Sequence, residues 1–347
     1  MLWSVLIAVA GLAEVTQGFA QSTEHTATAN CVADEMAKGH PLTAPLARHC
    51  AAIHGLYDAL LLPVAIADAN LSSTADSLAD FIEQEATPRH ATHVGLARRE
   101  GSPPLTVAFF SQRIGEFTVD LAPQHMGDAL VFHGDVSGDY EAPHALLTTP
   151  DGEVRDVHMM VVGKGDYIGE ARLPKIAGRF QVEVVVWSRS KGAAVLANRA
   201  FFVDMPPEAL PVSRPPPASD PRLRMLALMN AARKAHGAPP LALDAGLERV
   251  AAAHAEDMRV NNYFGHDSAD RNVMMRAQDA GLPFDKLAEN LAEAATPEDA
   301  HETLMASPGH RRNILNPQLQ RVGIGLIPTQ LSTGDDLWIV VVDFAGS

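Results

Sequence analysis

Residues 205–221 read "MPPEALPVSRPPPASDP", and seven of these seventeen positions are proline. A proline has no backbone N–H and a fixed φ, so this stretch can enter neither a helix interior nor a central strand, and it forms a semi-rigid extended linker. The 347-residue chain is therefore cut about two thirds of the way along, and it must build separate cores on the two sides. Charged residues make up 20% and hydrophobic ones 47%, a globular composition rather than a disordered one. The formal net charge is -15, and no run of Lys and Arg with interleaved aromatics occurs, which excludes a nucleic-acid groove.

The chain opens "MLWSVLIAVAGLAEVTQGFAQS", an apolar run from Met1 to Ala13, then a polar region, then Gly18-Phe19-Ala20, whose small Gly18 and Ala20 stand where a signal peptidase needs them. Residues 1–20 read as a signal peptide, and the mature chain is expected to be exported, either secreted or held in the periplasm or cell envelope. No later apolar run is long enough for a transmembrane segment. Export favours a disulfide between the two cysteines, Cys31 and Cys50. Residues 23–100 read as a helical segment, from stretches such as "CAAIHGLYDALLL" and "SSTADSLADFIEQEA", where Ser73 is placed as cap and Leu78 and Phe81 form an apolar stripe. His40, His49, His54, His90 and His93 are scattered through it without metal-ligand pairing.

From Pro104 to Asp204 the pattern becomes short alternating runs between turn signals. In "ALLTTPDGEVRDVHMMVV", Pro150, Asp151 and Gly152 form the turn. Seven or eight strands in about a hundred residues imply an all-β sandwich. The stretch "DYIGEARLPKIAGRFQVEVVVWS" resembles bacterial immunoglobulin-like modules, which act as spacers or contact a cell-envelope or protein partner.

Beyond the linker, Asp220 and Pro221 open a helix that stops at His236 and Gly237, and a second helix starts near Asp244. On the second helix Leu247, Val250, Ala251, His254 and Met258 recur at helical spacing, which makes His254 a core residue. Thr296 and Pro297 start a third helix, with Asp299 at the capping-box position. In "SPGHRRNIL", Ser307 is the N-cap, Pro308 the first helical residue and His310 the third. His310 thus sits at the positive end of a helix dipole, which disfavours its cationic form. "RVGIGLI" and "LWIVVVDFA" read as two strands, so the region is an α/β/α layered domain of about 130 residues.

Four stretches of this region, "NAARKAHGAPPLALD", "YFGHDS", "AENLA" and "SPGHRRNILNPQLQRVGIG", resemble the bacterial branch of the CAP superfamily (SCP, or cysteine-rich secretory, antigen 5 and pathogenesis-related 1 proteins). The resemblance covers residues 222–345, within a domain set at 222–347. It implies a central cleft lined by two histidines and two acids, able to hold zinc or another divalent cation. By motif, His266 is the first histidine, Glu289 the first acid and His310 the second histidine. These three are the implied metal ligands, with Ser307, Asn290 and His254 as supporting residues. Where many eukaryotic members have a Trp, two residues and then Glu, this chain reads Leu304, Met305, Ala306, Ser307, so a serine replaces the second acid.

Two functions follow from the resemblance. One is a binding module whose cleft holds a divalent ion, a lipid or a peptide. The other is a zinc-dependent extracellular hydrolase in which Glu289 and His310 are catalytic, since two histidines and a carboxylate with an open fourth position can activate water. Ser307, Glu289 and His310 do not read as a nucleophilic triad, because the N-cap role commits the serine oxygen to a backbone N–H.

Overall fold

The computed structural model describes residues 18–58, 62–67, 75–99, 104–163, 165–189, 192–206, 219–268, 271–331 and 336–346. Most of the expected signal peptide, the Ser73 cap and most of the Pro-rich linker lie outside the described residues. The chain forms two compact units, one holding Met1–Arg113, the other holding Ile114–Glu208, Pro215–Thr329 and Asp336–Ser347. Among the described residues, no helix is long and apolar enough to cross a membrane.

The first unit differs from the all-helical expectation for residues 23–100. Helices α1 (Thr23–Ala37), α2 (Ala44–Ile53) and α3 (Ala75–Ala86) accompany an antiparallel sheet of β1 (Leu62–Ala67), β2 (His93–Arg99) and β3 (Leu105–Ser111), in the order β1-β3-β2. The central strand β3, "LTVAFFS", is buried on both faces, so its apolar residues run without alternation and carry no period that separates strand from helix. It also moves the boundary: the residues just after Pro104, assigned from sequence to the β region, belong to this sheet. Cys31 and Cys50 form a disulfide that ties α1 to α2. Around it Val32, Leu46, Val107 and Phe109 close the core.

The second unit begins with two four-stranded antiparallel sheets. One is β4 (Gly115–Leu121), β5 (Ala129–Val136), β9 (Asp166–Arg172) and β8 (His158–Val162). The other is β11 (Gly192–Val203), β10 (Gly178–Ser188), β6 (Glu141–Thr148) and β7 (Val154–Asp156). Only Val157 separates β7 from β8, and there the chain passes from one sheet to the other. Phe117, Phe132 and Tyr167 pack in sequence, and the Tyr167 hydroxyl donates to the Glu116 carbonyl at 2.7 Å. On β10, Phe180, Val182 and Val184 are fully buried, as the alternation in "RFQVEVVVW" requires.

The rest of this unit is a layered α/β region. Its sheet runs β12 (Ala242–Leu243), β14 (Arg321–Gln330), β15 (Asp336–Gly346), β13 (Lys286–Ala294). Helices α4 (Pro221–Ala235), α5 (Ala245–Asn261), α7 (Pro297–Met305) and α8 (Pro308–Leu315) start at Asp220, Asp244, Thr296 and Ser307, the caps legible in the sequence. A short α6 (Val273–Asp279) was not anticipated. Alternation along β15 sorts the layers: Ile339 and Val341 pack with Ala251, Ala255 and Met258 of α5, whereas Val340, Val342 and Phe344 pack with α4, α7 and α8. Gly323 and Gly325 let α5 lie directly on β14, since a Cβ on Gly323 would fall 2.1 Å from the Leu247 carbonyl carbon.

Helix α8 is anchored at its carboxyl end by Arg233 of α4, which is wholly buried. Its guanidinium donates to the carbonyls of Ile314 at 2.7 Å, Asn316 at 3.1 Å, Leu319 at 2.8 Å and Pro239 at 2.6 Å. These are helix-end and loop carbonyls, of which that of Asn316 also accepts from the Leu319 N–H at 3.2 Å, and the cation takes the place of a C-cap. Arg233→Leu removes the guanidinium from the carbonyls of Pro239, Ile314 and Leu319 and leaves Asn316 with only its backbone donor, and we expect it to lower stability by about 3–5 kcal/mol in urea unfolding. A loss under about 1 kcal/mol would show that the loop refolds around the gap.

Candidate functional site

Three segments bring the sequence-derived residues together. The loop after α5 carries His266, and its shape is set by Asp257, which accepts from the Tyr263 hydroxyl at 2.5 Å, from Asn261 Nδ2 at 2.7 Å and from Ser268 Oγ. Strand β13 carries Glu289 and Asn290, which the strand period turns to opposite faces. Helix α8 carries His310. The His266 and His310 rings lie with centroids 6.4 Å apart.

Glu289 is buried and both its oxygens are engaged. Oε1 accepts from His266 Nδ1 at 2.9 Å, and Oε2 accepts from the Arg276 guanidinium of α6. His254 Nε2 stands 3.9 Å from Oε2 and hydrogen-bonds to the Gly265 carbonyl at 3.1 Å. Burial alone would raise the Glu289 pKa; His266, Arg276 and His254 outweigh it and hold the carboxyl below the usual range. Arg276 also donates to the His266 carbonyl at 2.8 Å, so one side chain fixes both the carboxylate and the histidine loop. It comes from the unanticipated α6, and nothing in its sequence context marks it.

Behind this pair lies a second acid that sequence reasoning also missed. Asp343 is directly opposite Glu289 in the β13–β15 register and fully buried. Burial, and then the neighbouring Glu289 carboxyl, push its pKa well above the ordinary value, which disfavours a second charge beside Glu289. Its signal was visible: an aspartate inside the apolar run "WIVVVDFA" is costly unless protonated or paired.

Asn290, turned to the other face, donates Nδ2 to the His310 carbonyl at 3.0 Å and accepts from Asn313 Nδ2 at 2.9 Å. Ser307 Oγ accepts from the His310 N–H at 3.4 Å, the N-cap geometry. Burial first, and the neighbouring His266 second, push the His310 pKa down to about 3. The imidazole is therefore neutral across the physiological range, the form that donates a lone pair. His254 is likewise lowered, chiefly by burial, and its Nδ1 has no hydrogen-bond partner.

Among the described residues, no three His, Cys, Asp or Glu side chains converge as they would around a metal ion. Glu289 cannot turn an oxygen outward without releasing His266 or Arg276. The two imidazoles fit a metal better. A ring centre stands about 3 Å from an ion held by its nitrogen, so two rings sharing one tetrahedral ion are about 5 Å apart. The two rings stand wider than that, at 6.4 Å. His266 Nδ1 donating to a carboxylate is also the arrangement that directs Nε2 at a metal.

A further acid reaches the start of α8 from β10. Glu183 Oε1 accepts from the Gly309 N–H at 2.8 Å, Oε2 accepts from Asn198 Nδ2 at 2.9 Å, and Ser307 hydrogen-bonds to the same carboxyl. Burial raises its pKa to about 7 against these three donors. The folded state therefore holds a proton that the unfolded chain releases above about pH 4.5, and this contribution to stability is lost as pH rises through 7. We expect wild type to lose about 3 kcal/mol relative to Glu183→Gln over that window in urea unfolding. Parallel curves for the two proteins would contradict the assignment.

Comparison with known proteins gives a consistent result for this region. Residues 226–344 match the family model of the cysteine-rich secretory protein family, CAP. The uncharacterized protein YkwD of Bacillus subtilis is 36% identical over 108 residues, 30% of this chain and 41% of that protein. The uncharacterized membrane protein YlbC of the same organism is 33% identical over 105 residues, 30% of either chain. The chain thus spans less than half the length of the curated relatives it matches. Among solved structures, an extracellular protein containing a SCP domain from Bacillus anthracis is similar at 20% identity and a TM-score of 0.33, over 66% of this chain and 88% of that one. An outer surface protein of Borrelia burgdorferi is also similar at 20% identity, with a TM-score of 0.33, over 37% of this chain and 93% of that one.

Proposed function

Since residues 226–344 of this chain are a CAP domain, we propose that the domain is an extracellular binding module whose histidine pair holds a divalent cation at the mouth of a ligand cleft. The observation that carries this reading is the bond between His266 Nδ1 and the buried Glu289. It sets the tautomer and leaves Nε2 as the donor nitrogen, beside a second imidazole that is neutral. Zinc is the natural candidate for two imidazoles with water at the remaining positions. Glu289 then acts as an outer carboxylate that orients His266 rather than as a third ligand.

The engagement of Glu289 favours binding over hydrolysis. A general base must reach the water it activates, and this carboxylate is held by His266 on one oxygen and Arg276 on the other. In this reading, the ion presents its open positions to a lipid or peptide ligand. We read the two-sheet region as an immunoglobulin-like module that meets a cell-envelope or protein partner, and the start of the chain as an export signal.

Zinc titration of the full chain by calorimetry tests the proposal. One site is expected in wild type and none in the His266→Ala/His310→Ala double variant. Glu289→Gln should weaken binding by about 10–100-fold without abolishing it. Zinc binding that persists in the double variant, or no binding in wild type, refutes the metal reading.

A further inference from the structure

The two-sheet region touches both segments that carry the histidine pair. On β10, Gln181 and Glu183 point away from the core side chains Phe180, Val182 and Val184, yet they are buried, Glu183 to within 1%. What covers Glu183 is the start of α8. Gly309 is the second residue of that helix, and a Cβ there would come within 3.0 Å of Glu183 Oε1, so the glycine gives the carboxyl its approach to the N–H. Asn198 of β11 braces the other oxygen and reaches the Ala306 carbonyl at 3.5 Å.

The connection continues to His310 itself. Ser307 bonds to the Glu183 carboxyl while its oxygen accepts from the His310 N–H. Two of the orphan donors at the start of α8, those of Gly309 and His310, are thus satisfied by one linked pair, an acid from the β region and the N-cap serine. Immediately after the histidine, Arg311 Nε donates to the Gly152 carbonyl at 3.0 Å, in the turn between β6 and β7. Near the other histidine, Gly192 at the start of β11 packs on Asp267, where a Cβ would lie 2.8 Å from a carboxylate oxygen.

We propose that Glu183 is a positioning residue for the site: the β region lends its carboxyl to the first turn of α8 and, through Gly309 and Ser307, fixes where His310 holds its imidazole. The acid that the CAP domain lacks at position 307 is thereby supplied at the same helix start from 124 residues earlier in the chain. The two-sheet region is then part of the site and not a spacer. The assignment concerns the placement of His310, and it rests on the metal reading only for its effect on zinc affinity.

The test uses the full chain labelled with 15N-histidine, with imidazole resonances and zinc affinity measured for wild type, Glu183→Ala and Glu183→Gln. Glu183→Ala should displace the His310 resonances, leave those of the remote His133 in place, and weaken zinc binding by about tenfold or more. Glu183→Gln, whose amide oxygen still accepts from Gly309, should return both readouts close to wild type. A folded Glu183→Ala protein with His310 unmoved overturns the proposal, as does a Gln variant that behaves like Ala. If Glu183→Ala does not fold, Asn198→Ala removes the brace on Oε2, together with the contacts to the Ala306 carbonyl and Gln181, and must displace the same resonance; an unmoved resonance there also overturns it. If wild type binds no zinc, the metal reading falls while the imidazole resonances still decide the role of Glu183.

Discussion

A buried carboxylate must be neutralised or it unfolds its surroundings, and Glu289 is where that constraint falls. Its charge is met by Arg276 on one oxygen, and His266 donates a hydrogen bond to the other. Meeting it dictates the rest: α6 must bring Arg276 inward, the loop after α5 must hold His266 within reach, and a second charge on Asp343 opposite is disfavoured. The histidine tautomer is a by-product of this neutralisation, which is why a site on three separate segments can be rigid without cysteines to brace it.

Helix α8 shows how a short element is made dependable. Eight residues would not hold a helix in water, and this one is fixed at three points from outside itself. Arg233 closes the carboxyl end, Asn290 grips the His310 carbonyl, and Glu183 with Ser307 closes the amino end. Each contact is a polar group satisfied away from water, so each is directional in a way that apolar packing is not. The position of His310 is the intersection of these three constraints.

Local signals made much of this legible in the sequence. The four caps Asp220, Asp244, Thr296 and Ser307 were readable because capping is chemistry within three residues. The alternation in β10 and the turn at Gly152 were readable for the same reason. At Thr296 the box closes differently from the usual pattern: its hydroxyl donates to Asp299 Oδ2, because the shorter acid meets the side chain rather than the backbone. What could not be read were long-range matters. Gln181 and Glu183 look like the solvent face of a strand until α8 is seen to cover them, and Arg276 has no pattern at all. Strands β1 and β2 fall in the segment read as helical; along β2 the residues Val94 to Ala97 are buried in succession, which removes the strand period.

The bond from Glu183 to Gly309 spans 126 residues of chain, and that distance has a consequence for how the molecule is made. As the polypeptide emerges from the ribosome, β10 is complete long before α8 exists, so the acceptor waits for its donor. The β region is then a template on which the last helix of the site is set. A CAP domain released without it would be expected to finish synthesis with a looser His310, which ties the maturation of the site to the order in which its parts leave the ribosome.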